Sequence, residues 1–127
     1  MSKDYEVKIL HCNKELTARE RVLIKDTGDA VSLDEATQEN GSIIIEIDTF
    51  AKLSVHNEKA DNKDYTKFVL IAKDGTKYAT SSEAFVRSFE EIYDEMLDAG
   101  ESEFSVKVFR KESKNYKGKE FITCSIA

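Results

Sequence analysis

Side chains able to do chemistry concentrate between Lys107 and Phe121. Six cations, Lys107, Arg110, Lys111, Lys114, Lys117 and Lys119, share that stretch with Phe109, Tyr116 and Phe121. Cations can track phosphates, and flat rings can stack on unpaired bases. Sequence-tolerant binding of a single nucleic-acid strand needs both. From Lys107 to Lys119 the only acid is Glu112, so the window carries +5 in a chain of net charge −6, and everything else sums to −11. From Glu83 to Glu103 eight acids accompany a single base, Arg87. An acidic stretch and a basic hairpin thus lie side by side in sequence, and only the second can meet phosphate. The candidate contacts are Lys107, Phe109, Arg110, Lys111, Lys114, Tyr116, Lys117, Lys119 and Phe121. Tyr78 and Tyr65 could extend the stacking surface, although strand tyrosines are more often half-buried packing residues. A plainer reading competes: a solvated lysine-rich hairpin whose phenylalanines belong to the core. Alternation separates the two, because Phe121 must point outward if Ile122, Cys124 and Ile126 line the core.

Other chemistry lacks a site. Zinc ligands usually come in close pairs such as Cys-x2-Cys, whereas Cys12, Cys124, His11 and His56 form no such pair. Buried structural thiols and histidines at strand ends are expected instead. Glu91 and Glu95 share a helix face, but a catalytic carboxylate pair needs a cleft that shifts its pKa values. Gly75 belongs to a turn signal and to no phosphate-cradling glycine loop. Neither catalysis, a metal nor a cofactor is expected. No apolar run approaches the roughly 18 residues that span a bilayer, and the start, Met1-Ser2-Lys3-Asp4-Tyr5, has no signal-peptide core. A cytoplasmic location without membrane association is the expectation.

A chain of 127 residues is the usual size of one domain, so residues 1–127 are expected to fold as a single unit. Tyr5 to His11 alternates as an opening strand. Thr17 with Glu20 fits a capping box, and Ser32 to Glu35 offers a second start signal in a polar connection from Gly28 to Gly41 that predicts about one helical turn. Ile43 to Ile47 is β-branched strand, continued from Phe50 to His56. Tyr65 to Ala72 predicts a strand buried on both faces. Asp74-Gly75 predicts a two-residue hairpin turn, with the return strand at Lys77 to Ala79. Thr80 and Glu83 suggest a further capping box. Phe85, Phe89, Ile92 and Met96 then recur at helical spacing, widened by Val86, Tyr93 and Leu97, with Gly100 as the stop. Two final strands, Phe104 to Val108 and Phe121 to Ile126, flank the basic loop. This order predicts a mostly β, OB-like five-stranded barrel with one long helix between its third and fourth strands. A strand-rich α+β sheet with one packed helix is the alternative.

The run Lys73-Asp74-Gly75-Thr76-Lys77-Tyr78-Ala79-Thr80-Ser81, the helix, Phe104 to Phe109 and Ser113-Lys114-Asn115-Tyr116-Lys117-Gly118-Lys119-Glu120-Phe121 resemble small single-stranded DNA-binding proteins of phages infecting Gram-positive bacteria. The likeness spans roughly residues 65–127. It implies sequence-independent coating of single-stranded DNA during phage replication, in the cytoplasm of the infected cell. The first sixty residues carry no such likeness, and the terminal Thr123-Cys124-Ser125-Ile126-Ala127 lacks the acidic tail by which bacterial counterparts recruit partners. A homo-oligomer, or a replication or host protein as partner, stays open. The competing function is a small acidic phage protein that inhibits a host protein through the Glu83 to Glu103 stretch.

Overall fold

The computed structural model describes residues 5–59, 64–101, 103–112 and 120–127. Within these residues seven strands and three helices follow in the order β1 (Tyr5–Cys12), α1 (Ala18–Lys25), β2 (Val31–Ser32), α2 (Leu33–Asn40), β3 (Ser42–Asn57), β4 (Asp64–Ala72), β5 (Lys77–Thr80), α3 (Glu83–Asp98), β6 (Ser105–Glu112) and β7 (Glu120–Ile126). The strands form one curled half-barrel sheet, ordered β2-β5-β4-β3-β6-β7, with β1 on β3. The mostly β, OB-like expectation is met, but five strands and one helix are too few. The reason lies in β3. Its 16 residues are long enough to hold β6 at Ser42–Glu46 and β1 at Ala51–Asn57, besides β4. The two-residue β2 adds a parallel edge to β5. Setting aside β1 and β2, the strand order β5-β4-β3-β6-β7 remains, with α3 between the third and fourth strands in sequence.

Two apolar clusters lie on opposite sides of the sheet. Inside the curl, Ile45, Ile47, Phe50, Phe68, Leu70, Val106, Val108 and Ile122 meet Phe85 and Phe89 of α3. Both helix rings are fully buried, and Phe89 lies 5.0 Å from Phe50 and 5.2 Å from Phe68. Of the stripe predicted from helical spacing, Phe85, Phe89, Val86, Ile92 and Tyr93 pack on the core, whereas Met96 is only half-buried outside it and Leu97 is exposed. On the outer side, Ala51, Leu53, Val69 and Ala79 are covered by Ile24 of α1, with Leu16 and Ala30. The two clusters account for β4 being buried on both faces, Phe68, Val69 and Leu70 in succession.

A bulge makes this possible. The β3–β4 register shifts between Ile47 and Thr49, so one extra residue reverses the alternation. Ile45 and Ile47 point inward at odd positions, Phe50 inward at an even one, and Ala51 and Leu53 outward. Asn13 fills the resulting gap beside β3: its side-chain carbonyl accepts the Phe50 N–H at 3.0 Å and its amide donates to the Asp48 carbonyl at 3.3 Å.

Local chemistry explains the ends of the elements. The Thr17–Glu20 capping box is present in full. Ser32 caps α2, which runs for eight residues in place of the single turn expected. The α3 start differs: Thr80 is still strand, its hydroxyl accepts the Ser82 N–H, and Ser82 accepts from Phe85 at 3.2 Å as the true cap. At the other end Gly100, at φ +77°, donates to Leu97, and Glu101 donates to Met96. This is a Schellman stop that favours glycine. The β4–β5 turn also differs. Ile71 pairs with Lys77, Gly75 donates to the Ala72 carbonyl and has φ +92°, and Asp74 has no positive φ. A type I turn closed by a glycine bulge replaces the expected two-residue turn, which would need φ above zero at both central positions.

Candidate nucleic-acid interface

The β6–β7 pair sorts its residues by parity. Val106, Val108, Ile122 and Cys124 are buried inward, and burial pushes the Cys124 thiol up to about 12. Lys107, Phe109, Lys111, Phe121, Thr123 and Ser125 therefore share the outer face. The register sets Lys111 opposite Phe121, Phe109 opposite Thr123, and Lys107 opposite Ser125. Phe109 and Phe121 are half-buried and belong to neither core cluster. Lys107 and Lys111 are exposed, with no ion pair among the described residues. This arrangement favours the outward reading of the two phenylalanines over the core reading.

Other candidates lie elsewhere. Arg110 points inward at the mouth of the curl, where its guanidinium donates to the Asp34 carbonyl at 3.3 Å and lies 3.9 Å from both the Asp34 and the Glu120 carboxylates. It ties α2 to the base of the hairpin. Tyr78 packs against the inner cluster and lines, with Ile44, Lys73 and Asp74, a cavity of about 230 Å³ at the edge of β3. Asp74 is held below the usual carboxylate range by the Thr76 N–H it accepts. Tyr65 is half-buried on β4. Lys114, Tyr116, Lys117 and Lys119 lie outside the described residues.

One neighbour escaped sequence reasoning. Ile44 of β3 stands opposite Lys107 on the outer face and is 67% exposed, while Ser42 stands opposite Phe109. Ile44 sits inside an all-apolar run, so no local signal separates it from its buried neighbours Ile45 and Ile47.

Alternative chemistry finds little support in the geometry. Among the described residues no group of three or more His, Cys, Asp or Glu side chains is placed to hold a metal. His11 stacks on Phe50 at 5.6 Å. A concavity of about 310 Å³ between α3 and the sheet mixes Lys52 and Arg87 with Glu83 and Glu90. Lys52 is already paired to Glu90 at 3.4 Å. Among the described residues no helix is long and apolar enough to cross a membrane.

Residues 17–127 match the family model described as phage single-stranded DNA-binding protein. The chain belongs to that family. Binding single-stranded DNA is accordingly its function, and the family is one of non-enzymatic DNA-binding proteins. The match begins at residue 17, so α1, β2, α2 and β3 belong to the family fold together with the half in which the sequence likeness was seen. No curated protein and no solved structure matches the sequence.

Proposed function

We propose that this chain coats single-stranded DNA without regard to sequence during phage replication, inside the infected cell, through the outer face of the β6–β7 hairpin and its basic loop. The observation that carries the reading is the shared outer pleat of Phe109 and Phe121 with Lys107 and Lys111. Rings for bases and cations for phosphates are interleaved there, with no base-edge code to impose sequence preference. Lys114, Tyr116, Lys117 and Lys119, which lie between β6 and β7 in sequence, are assigned to the same site by their charge and ring chemistry, whereas Tyr78 packs on the inner cluster. OB-type units commonly bind oligonucleotides on the face of their second and third strands and on the loops after the first and fourth. If β3 to β7 are such a unit, the outer face of β4 and β5 lies beneath α1. The loop after the fourth strand, residues 113–119, then becomes the natural grip. Arg110 serves as a positioning residue that anchors the hairpin base to α2.

The test is anisotropy titration of labelled oligonucleotides of unrelated sequence at two salt concentrations, with a duplex of equal length as competitor. Similar affinities across sequences, a marked loss at higher salt and poor duplex competition are expected. Strong preference for one sequence, or equal competition by duplex, would overturn the reading.

A further inference from the structure

The outer face of β3, β6 and β7 carries an order finer than a mixture of rings and cations. Phe121 stands in the row of Lys111. Phe109 stands in the next row on the next strand, between Thr123 and Ser42, and Ile44 occupies the row after that on the third strand, opposite Lys107. The three apolar side chains form a straight diagonal across three strands. Each neighbours a fully buried inward residue, Ile122, Val108 and Ile45 respectively, which fixes all three as outward. A lone exposed aliphatic needs no explanation. Ile44 is not alone, because it completes a line begun by two aromatic rings.

We infer that single-stranded DNA crosses this face along the diagonal, one nucleotide on each of Phe121, Phe109 and Ile44, with Ile44 as a third binding residue. The inference rests on the hairpin reading above and adds a path and a residue to it. Diagonal neighbours in a sheet are about 7–8 Å apart, whereas successive nucleotides in a duplex strand rise about 3.4 Å. Bases seated at this spacing cannot stay stacked on one another, so the strand lies extended. The polar side chains agree with such a path. The step from Phe121 to Phe109 is flanked by Lys111 and Thr123, and the step from Phe109 to Ile44 by Lys107 and Ser42. Each linking phosphate therefore meets one lysine, and the second also the Ser42 hydroxyl; the Thr123 hydroxyl is taken by Ser88 of α3 at 2.8 Å, at the free edge of β7. A duplex keeps its bases in the stack and offers nothing to the three apolar side chains.

Binding of a labelled oligothymidylate to Ile44→Ser, Ile44→Tyr, Phe109→Ala and Leu97→Ser chains tests this. Each methylene lost from a buried contact is worth a few-fold in affinity, so Ile44→Ser should bind roughly tenfold more weakly with an unchanged salt slope. Ile44→Tyr supplies a ring at the same place and should bind at least as tightly as the parent. Leu97→Ser, at an equally exposed aliphatic on α3, should bind like the parent. Parent-like affinity of Ile44→Ser beside a weakened Phe109→Ala would overturn the diagonal and leave the hairpin reading standing, as would weak binding by a folded Ile44→Tyr chain. If Phe109→Ala also binds like the parent, the hairpin reading falls with it.

Discussion

Three cations of strand β6 divide into two kinds, and their loss should be distinguishable by salt. Lys107 and Lys111 extend from the outer pleat into solvent, whereas the Arg110 side chain is only 19% exposed and is engaged with Asp34, Thr37 and Glu120. On a single strand each phosphate contact contributes about 0.7 to the log–log salt slope. Replacing Lys107 and Lys111 together by Ala should therefore flatten the slope by about 1.4. Over a fourfold rise in salt the parent should then lose about sevenfold more affinity than the double variant. Arg110→Ala should leave the slope nearly unchanged. Its cost falls on stability, on the order of 1.5 kcal/mol for charge-assisted hydrogen bonds left unmade, which is a melting shift of several degrees. Anisotropy titrations at four or more salt concentrations, beside thermal melts, read both quantities. An unchanged slope in the double lysine variant would refute the outer face as the phosphate path. A slope change near 0.7 in Arg110→Ala, with an unaltered melt, would show that its contacts with Asp34 and Glu120 are exchanged for phosphate on binding.

Lys114, Lys117 and Lys119, changed together to Ala, should lower the slope by about 2.1 if the loop meets phosphate, and the same titrations check it. Phe89→Ala should cost about 3–5 kcal/mol by denaturant unfolding, because the ring is fully buried among Phe50, Phe68 and Phe85; a parent-like melt would remove it from the core. His56 Nδ1 lies 2.7 Å from Asp64 and Nε2 2.7 Å from Glu58, and these bonds, Asp64 first, raise its pKa. The stabilisation is complete below the ordinary histidine value of about 6.5 and is lost as pH rises through the raised one. Melting temperature should therefore fall from about pH 6 to about pH 8, and by less in His56→Gln. A disulfide-exchange reagent should label Cys12 in the native chain and Cys124 only on unfolding, since burial keeps the latter thiol protonated; two fast thiols would contradict the packing of β7.

Much of the fold is legible because its signals are local. Phe85, Phe89 and Ile92 announce α3 by spacing alone, Gly100 announces its end, and strict alternation announces β6 and β7. The outward placement of Phe109 and Phe121 follows from the same alternation. Features set by distant partners are not legible. Alternation sets Arg110 on the pleat opposite Lys111, but nothing local announces its capture by Asp34 and Thr37, which stand more than seventy positions earlier in the chain. Likewise the extra β1 edge depends on where β3 finds room for a second neighbour, and no composition encodes that.

Strand β3 shows why the third residue of the diagonal was hidden. Apart from Thr49 and the terminal Asn57, its odd positions, Ile43, Ile45, Ile47, Ala51, Leu53 and Val55, are apolar, so period-two reasoning assigns them to one face. The bulge between Ile47 and Thr49 puts them on two. Before it the odd side chains fill the inside of the curl, and the outer face shows Ser42, Ile44 and Glu46. After it the odd side chains turn outward and are sealed by α1 and β1, while Lys52, Ser54 and His56 line the inner side. Had the alternation continued unbroken, Ala51 and Leu53 would lie inside and Phe50 outside. The outer cluster would then have lost its β3 contribution, and α1 its footing. One inserted residue thus lets a single strand hold the N-terminal elements with one half and leave the other half bare beside β6, where an extended strand of DNA can lie.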